Sequence, residues 1–211
     1  MKTPATRRTF LKAAGLGLGA AVVGCGGLTA LAAQPPALDF YEDTGDDAMN
    51  DKVLIAYASK CGSTGEVAQA IADELTKRGL AVDVRLAGKV KSLAGYRAVI
   101  VGSAIRMGQW LPEAVQFVEQ NAAALRAMPN AFFTVHMLHT GDDAESRQAR
   151  AAYLDGVHKF MTAQSEVFFA GKIELARMSF LDRMISQAMK AQDEDRRDWA
   201  AIRAWAQTVL A

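Results

Sequence analysis

The chain has 211 residues, of which 51% are apolar, and a formal net charge of +1. This length suits one domain with an extension, and the apolar share is sufficient for a sizeable core. The near-neutral charge gives no basic field, which argues against nucleic acid as a partner. The two cysteines are Cys25 and Cys61. Because Cys25 lies in the extension, a disulfide framework within the domain is excluded.

The N-terminus has the features of an export signal. Arg7 and Arg8 are followed by Thr-Phe-Leu-Lys, and an apolar run rich in Gly and Ala covers residues 13–33. A charged start before such a run is typical of secretory signals. The paired arginines resemble the twin-arginine signal, whose pathway exports folded proteins, often with their cofactor bound. We therefore predict that residues 1–33 direct the protein to the periplasmic or extracytoplasmic face of a bacterial membrane.

The sequence is compatible with three ways of processing this signal. Val-Val-Gly-Cys, ending at Cys25, fits a lipobox, in which Cys25 would carry a lipid anchor. Ala-Leu-Ala at 30–32 fits a signal-peptidase site. Without cleavage, residues 11–33 are long enough to span a bilayer. Residues 34–50, rich in Pro, Asp and Gly, predict a flexible linker to a domain over 51–211.

The domain opens with a pattern of strand, turn and helix. Val53 to Tyr57 is an unbroken apolar run, as expected for a parallel strand covered on both faces. From Gly65 the period changes to that of a helix, with Val67, Ile71 and Leu75 on one stripe. The turn between them, Ser59 to Thr64, places hydroxyl groups at the positive end of the helix dipole. It is therefore a candidate phosphate site.

Two common phosphate loops do not fit this turn. The Walker pattern needs Gly-Lys-Ser/Thr after a longer loop, and the dinucleotide fingerprint needs three spaced glycines. The short turn instead resembles the flavodoxin loop that holds the 5′-phosphate of FMN. The alternative is a plain strand-to-helix turn in which Ser63 or Thr64 caps the helix.

Strands and helices then alternate along the chain. Further strands are predicted over 80–86, 97–103, 131–137 and 166–173. A helix from Leu111 has a stripe formed by Val115, Val118, Ala122 and Leu125, and a later helix carries Tyr153, Val157 and Phe160 on one face. Two helical stretches close the chain. This alternation predicts an α/β fold with a flavodoxin-like, doubly wound parallel sheet of five strands, in the order 2-1-3-4-5, with helices on both faces.

Three loops leave the carboxyl edge of this sheet. They are Ser59–Thr64, Ser103–Trp110 and His136–Thr140. Ligands in this topology bind where the strand order reverses, between the first and third strands. The first two loops should therefore face one crevice, with the third beside it.

Several segments extend the resemblance beyond the fold. Tyr57-Ala-Ser-Lys-Cys-Gly-Ser-Thr-Gly-Glu, Val101-Gly-Ser-Ala-Ile-Arg-Met-Gly, Met128-Pro-Asn-Ala-Phe-Phe-Thr-Val, and Phe169-Ala-Gly-Lys-Ile with a later Asp182-Arg-Met resemble the flavodoxin-type, menaquinone-dependent protoporphyrinogen oxidases. The similarity covers nearly all of 52–210. It implies an FMN enzyme that oxidises protoporphyrinogen IX and passes electrons to a quinone. Cys61 and the export signal depart from the family pattern.

The resemblance, with Trp110 added as a possible stacking partner, defines two groups of predicted cofactor-binding residues. The phosphate group is Ser59, Lys60, Cys61, Gly62, Ser63 and Thr64. The isoalloxazine group is Ser103, Ala104, Ile105, Arg106, Met107, Gly108, Trp110, His136, Met137 and Leu138.

For some of these residues, two interpretations of their role remain open. Arg106 would pair with substrate carboxylates or the flavin N1, or remain a solvated loop residue. Trp110 would stack on the flavin or only pack. The Cys61 thiol would have a lowered pKa at the helix N-terminus or be a plain turn residue. His136 and His139 lack the further ligands that a metal site needs, so no metal is expected.

A basic, methionine-rich stretch over 172–189 would touch a membrane or a partner, or bury its methionines while its charges stay solvated. We assign no catalytic residue, because flavin chemistry needs few side-chain acids or bases. Two alternatives to a quinone-linked oxidoreductase remain. One is a flavodoxin-like electron carrier that docks a redox protein, and the other is a lipoprotein that has lost FMN.

Overall fold

The computed structural model describes residues 52–188 and 190–210. The predicted signal with Arg7, Arg8 and Cys25, and the predicted linker, lie outside the described residues. The strands are β1 Lys52–Ala58, β2 Val82–Leu86, β3 Tyr96–Arg106, β4 Gln109–Trp110, β5 Asn130–His136, β6 Ser165–Ala170, β7 Lys172–Ile173 and β8 Glu194–Asp195. The helices are α1 Ser63–Lys77, α2 Pro112–Arg126, α3 Ala144–Ala152, α4 Asp155–His158, α5 Phe180–Ala188 and α6 Trp199–Thr208.

The main sheet has the order β2-β1-β3-β5-β6, and all of these pairs are parallel. Counting its parallel strands along the chain gives 2-1-3-4-5, so the predicted fold is confirmed. The short β4 pairs antiparallel with the end of β3. A second, two-stranded sheet joins β7 and β8.

The two faces of the sheet carry separate hydrophobic cores. Along β1, Val53, Ile55 and Tyr57 face α1 and α6, whereas Leu54 and Ala56 face α2 and α4. All five are fully buried. Burial of a large apolar side chain contributes about 1.5–3 kcal/mol, so this double coverage explains why the strand is an unbroken apolar run.

Local details differ from the predictions. In the predicted stripe of α2, Val118 and Leu125 are buried, whereas Val115 and Ala122 are only partly buried. Ala114 and Phe117 complete the buried face. The last predicted strand, 166–173, breaks at Gly171. There the Gly171 N–H donates to the carbonyl oxygen of His136 (2.8 Å), and the chain leaves the main sheet to begin β7.

Candidate functional site

The loop Ser59–Thr64, here called the phosphate loop, joins β1 to α1. Gly62 is the N-cap of α1 with φ of 88°, a left-handed conformation that favours glycine, and no side chain caps the helix. The alternative in which Ser63 or Thr64 caps α1 is therefore wrong. Ser59 Oγ accepts from the Gly62 N–H (3.0 Å), and Ser63 Oγ accepts from the Lys172 N–H (3.2 Å). The positive end of α1 is thus open to an anion.

Thr64 gives the direct test of fit for a phosphate. Its side chain is 1% exposed, and its hydroxyl has no hydrogen-bond partner among the described residues. A buried hydroxyl without a partner costs about 1–3 kcal/mol. An anionic oxygen at the end of α1 would accept this hydrogen bond. The loop therefore fits the phosphate of a flavin nucleotide.

Two cations lie at this loop. The predicted phosphate ligand Lys60 pairs with Glu113 in the first turn of α2 (2.8 Å), with both side chains largely exposed. Arg177 lies over Gly62, and its Nη2 is 2.8 Å from the position that a Cβ atom would take there. Arg177 was missed in the sequence because it comes from a segment far along the chain.

The Cys61 thiol is not activated. Burial raises the pKa of Cys61, the nearby Asp182 carboxylate raises it further, and Arg177 and Arg106 only partly oppose this. The thiol therefore stays protonated at neutral pH, which favours the interpretation of Cys61 as a turn residue over that of a reactive thiolate.

The second predicted loop, 103–110, is largely a hairpin. β3 continues to Arg106, and Met107 and Gly108 form a tight tip with φ of 52° and 76° before β4. Met107 is 94% exposed. Ser103 is buried, and its hydroxyl accepts from the Leu111 N–H (2.9 Å) and donates to the Ala104 carbonyl (2.8 Å). Ser103 therefore has a structural role, and the partly buried Ala104 and Ile105 pack on the core.

Trp110 lies in the core and not on the crevice surface. Its indole Nε1–H donates to Thr134 Oγ1 (2.9 Å), and its ring centroid is 5.1 Å from that of Phe132. The side chain is 3% exposed. These contacts support packing, and they leave almost no indole surface for stacking on a flavin.

The third loop begins with a buried, neutral imidazole. Burial lowers the pKa of His136, and its Nδ1 lies 2.7 Å from the Leu138 carbonyl, to which it donates. The ring packs against Tyr153. Leu138 is 62% exposed, and the Met137 carbonyl accepts from Arg196 (3.3 Å). Within the described part of the chain, no group of three or more His, Cys, Asp or Glu side chains could hold a metal ion.

A segment that includes most of the basic, methionine-rich stretch joins these loops. We call residues 172–195, apart from Met189, the crossing segment; it contains β7, α5 and β8. It contacts the phosphate loop through Lys172 and the hairpin through Asp182, which pairs with Arg106 at 2.6 Å. Just before it, Gly171 bonds to His136. The structure thus brings the three predicted loops together along one edge.

The helix α5 within this segment exposes its apolar face. Asp182 pairs with Arg106 of the hairpin, whereas Arg183 donates to the carbonyls of Leu175 and Ala176 within the crossing segment itself. The apolar side chains of α5 are half exposed, namely Phe180, Leu181, Met184 and Ile185, at 50–56%. The interpretation in which the methionines of this stretch are buried is therefore wrong for Met184.

Cavity size does not mark this edge. A depression of about 390 Å³ lies near α3, α4 and β6, lined by residues that include His158 and Glu166. Another, of about 360 Å³, is lined by residues that include Asn130 and Trp205. Neither contains a predicted flavin residue. Hydrogen bonding and charge are what distinguish the phosphate loop.

The parallel sheet and its strand order define a flavodoxin-like α/β fold, with an uncapped helix end at its carboxyl edge. The model of the flavodoxin domain family matches residues 54–199. The chain therefore belongs to the flavodoxin domain family, and FMN is its cofactor.

Two relatives are named protoporphyrinogen IX dehydrogenase [quinone]. The Leishmania major protein is 29% identical over 177 residues, covering 75% of this chain and 74% of its own. The Escherichia coli strain K12 protein is 29% identical over 147 residues, covering 66% of this chain and 79% of its own.

Solved structures are more distant. A flavodoxin from the domain Archaea has 19% identity and a TM-score of 0.42, and the match covers 66% of this chain and 97% of that one. Rubredoxin oxygen:oxidoreductase from Desulfovibrio gigas has 19% identity and a TM-score of 0.45, with 76% of this chain and only 35% of that one covered. Among the described helices, none is long and apolar enough to cross a membrane.

Proposed function

We propose that this protein is an exported FMN-dependent oxidoreductase that reduces a quinone, with a porphyrinogen-like compound as its electron donor. The quinone and the porphyrinogen are suggested by the names of the two relatives. Bound FMN would supply a carrier that accepts two electrons from a donor and delivers them to an acceptor. The phosphate loop would hold its anionic end, and the hairpin and the His136 loop would border its ring.

The exposed face of α5 is the observation that carries the quinone assignment. Phe180, Leu181, Met184 and Ile185 are about half exposed on a helix that Asp182 fixes to the Arg106 hairpin. Clustered exposed apolar side chains mark sites where an apolar partner binds. A lipophilic quinone bound on this face would lie beside the predicted flavin crevice.

The test compares two acceptors on the same FMN-loaded protein. Phe180→Ser with Met184→Ser should raise KM for a long-chain quinone by roughly tenfold, because each change removes apolar contact area. Turnover with ferricyanide, which needs no apolar surface, measures the flavin itself. An equal loss with both acceptors, or a wild type that reduces no quinone, would contradict the proposal.

A flavodoxin-like carrier that docks a redox protein is the second candidate. The same face of α5 suits it, because protein interfaces concentrate Phe and Met side chains. Catalytic reduction of quinone by a small reduced donor would decide against a carrier. Reduction only in the presence of a partner protein would decide for it.

Arg106 is the candidate residue for a donor that carries carboxylates. Its ion pair with Asp182 is partly exposed, and such pairs contribute only about 0–1 kcal/mol, so a substrate carboxylate could replace Asp182. Arg106→Gln should raise KM for a porphyrinogen, whereas Asp182→Asn, which breaks the same ion pair but keeps the guanidinium, should not. Unchanged KM for the porphyrinogen in Arg106→Gln would exclude this contact.

Export by the twin-arginine route, with Cys25 lipidation or an uncleaved signal as the membrane anchor, completes the proposal. Arg7→Lys with Arg8→Lys should retain the protein in the cytoplasm. Cys25→Ser should release the exported domain from the membrane fraction if Cys25 carries the lipid. Export that persists without the paired arginines would contradict the route.

A further inference from the structure

Arg177 stands directly over the phosphate loop. It ends the short 3₁₀ turn Leu175–Arg177 of the crossing segment. Its Nη1 pairs with Glu66 (2.9 Å) and approaches Glu174 (3.8 Å). Its Nη2 faces Gly62, 2.8 Å from the position of an added Cβ atom. One side of the guanidinium is thus held by carboxylates, and the other faces the loop.

A cation at this position opposes the helix dipole. The N-terminus of α1 already carries a partial positive charge, which favours anions and disfavours Arg177. Glu66 offsets this in part, but it also pairs with Arg197. Burial alone would raise the pKa of Glu66, yet the hydrogen bonds and charge of Arg197, with the hydrogen bond of Arg177, outweigh burial and lower it.

Nη1 of Arg177 makes the contacts with Glu66 and Glu174, so Nη2 is the nitrogen that faces the loop. One Glu66 carboxylate serves two arginines, and Lys60 lies on the same loop. The buried Thr64 hydroxyl without a partner, in the first turn of α1, independently indicates a missing anionic acceptor. A phosphate bound at the helix end would accept from Nη2 of Arg177 and from the Thr64 hydroxyl.

We propose that Arg177 donates from Nη2 to the phosphate of FMN, and that Glu66 positions it by holding Nη1. Arg177 is then a binding residue that selects phosphorylated flavin over riboflavin. The proposal rests on FMN binding at the phosphate loop and does not depend on the identity of the electron donor or acceptor. A guanidinium suits this task, because it can bond a carboxylate with one nitrogen and a phosphate with another.

The test measures binding and not turnover. Cofactor-free full-length protein is titrated with FMN and with riboflavin, which lacks the phosphate, by flavin fluorescence at several salt concentrations. Loss of a charge-assisted hydrogen bond should weaken FMN binding by roughly 10- to 100-fold in Arg177→Gln and leave riboflavin binding within about twofold. The salt dependence of FMN binding should also become shallower. Arg177→Lys, which keeps the charge, should recover part of the loss.

Arg203→Gln is the matched control, since Arg203 lies on α6 and pairs with Glu74 (4.0 Å). It should change neither affinity. If Arg177→Gln weakens the binding of FMN and of riboflavin equally, Arg177 has only a structural role. If FMN binding is unchanged, Arg177 does not contact the phosphate. A wild type that binds riboflavin as tightly as FMN would overturn the phosphate assignment and this proposal together. Failure of the protein to reduce a quinone would contradict neither the phosphate assignment nor the role of Arg177.

Discussion

Replacing Thr64 by valine should raise the stability of the cofactor-free protein and lower its affinity for FMN. The hydroxyl is buried and has no partner among the described residues. Valine keeps the shape and removes the unsatisfied group, so the cofactor-free protein should gain about 1 kcal/mol of stability, or a rise of about 2–4 °C in Tm. A hydrogen bond to a charged phosphate contributes about 1.5–3 kcal/mol. Its loss should raise the Kd for FMN by roughly 10- to 100-fold.

Thr134 is a matched control, because it is equally buried (1% exposed) but its hydroxyl accepts from the Trp110 indole. Thr134→Val should destabilise the protein by about 1–3 kcal/mol and leave FMN affinity unchanged after correction for folding. Thermal unfolding of the cofactor-free protein and fluorescence titration with FMN measure the two quantities. A Thr64→Val variant that is destabilised like Thr134→Val, or that binds FMN normally, would refute the role of Thr64.

Two further predictions follow from the same region. Gly62→Ala and Gly79→Ala both place a side chain at positive φ (88° and 82°) and should each cost about 1–2 kcal/mol in urea unfolding. Only the new methyl group of Gly62→Ala would contact Arg177, so this variant alone should also bind FMN more weakly. Equal FMN affinities of the two variants would contradict a role of Arg177 at the phosphate. Hydrogen bonding to Arg197, opposed by burial, lowers the pKa of Asp195 from 3.8 to about 2. The ionised Asp195 therefore stabilises the folded protein fully above about pH 4, and this contribution is lost as the pH falls towards 2. Asp195→Asn should reduce the pH dependence of the free energy of unfolding between these values. Identical pH dependence in the variant and the wild type would contradict a contribution from Asp195.

The parts of the fold that were predictable are those written in local patterns. The apolar run of β1 is covered on both faces, and α1 follows with its stripe at Val67, Ile71 and Leu75. The strand order came from the alternation of strands and helices, since right-handed crossovers leave few arrangements. The open helix end at Gly62 follows from the same local sequence.

The parts that were missed depend on contacts between distant residues. Arg177 and Glu66 are 111 positions apart, and Arg106 and Asp182 are 76 apart. No window of neighbouring residues contains such pairs. Trp110 had two interpretations, stacking on the flavin or packing, because the sequence does not reveal β4. Pairing of Ile105 with Trp110 folds the hairpin back and directs the indole into the core.

The inversion of α5 illustrates a more general limit. Periodicity identifies the two faces of an amphipathic helix but not which of them is buried. Here Asp182 joins the polar face to Arg106 of the hairpin, and Arg183 bonds to carbonyls within the crossing segment. The four apolar side chains remain half exposed, and each forgoes roughly 1 kcal/mol of burial. That total of about 4 kcal/mol is a substantial fraction of the 5–15 kcal/mol by which domains are stable. An apolar acceptor that covered the face would recover much of it, which is the physical reason for placing the proposed quinone on α5 and not at the polar loops.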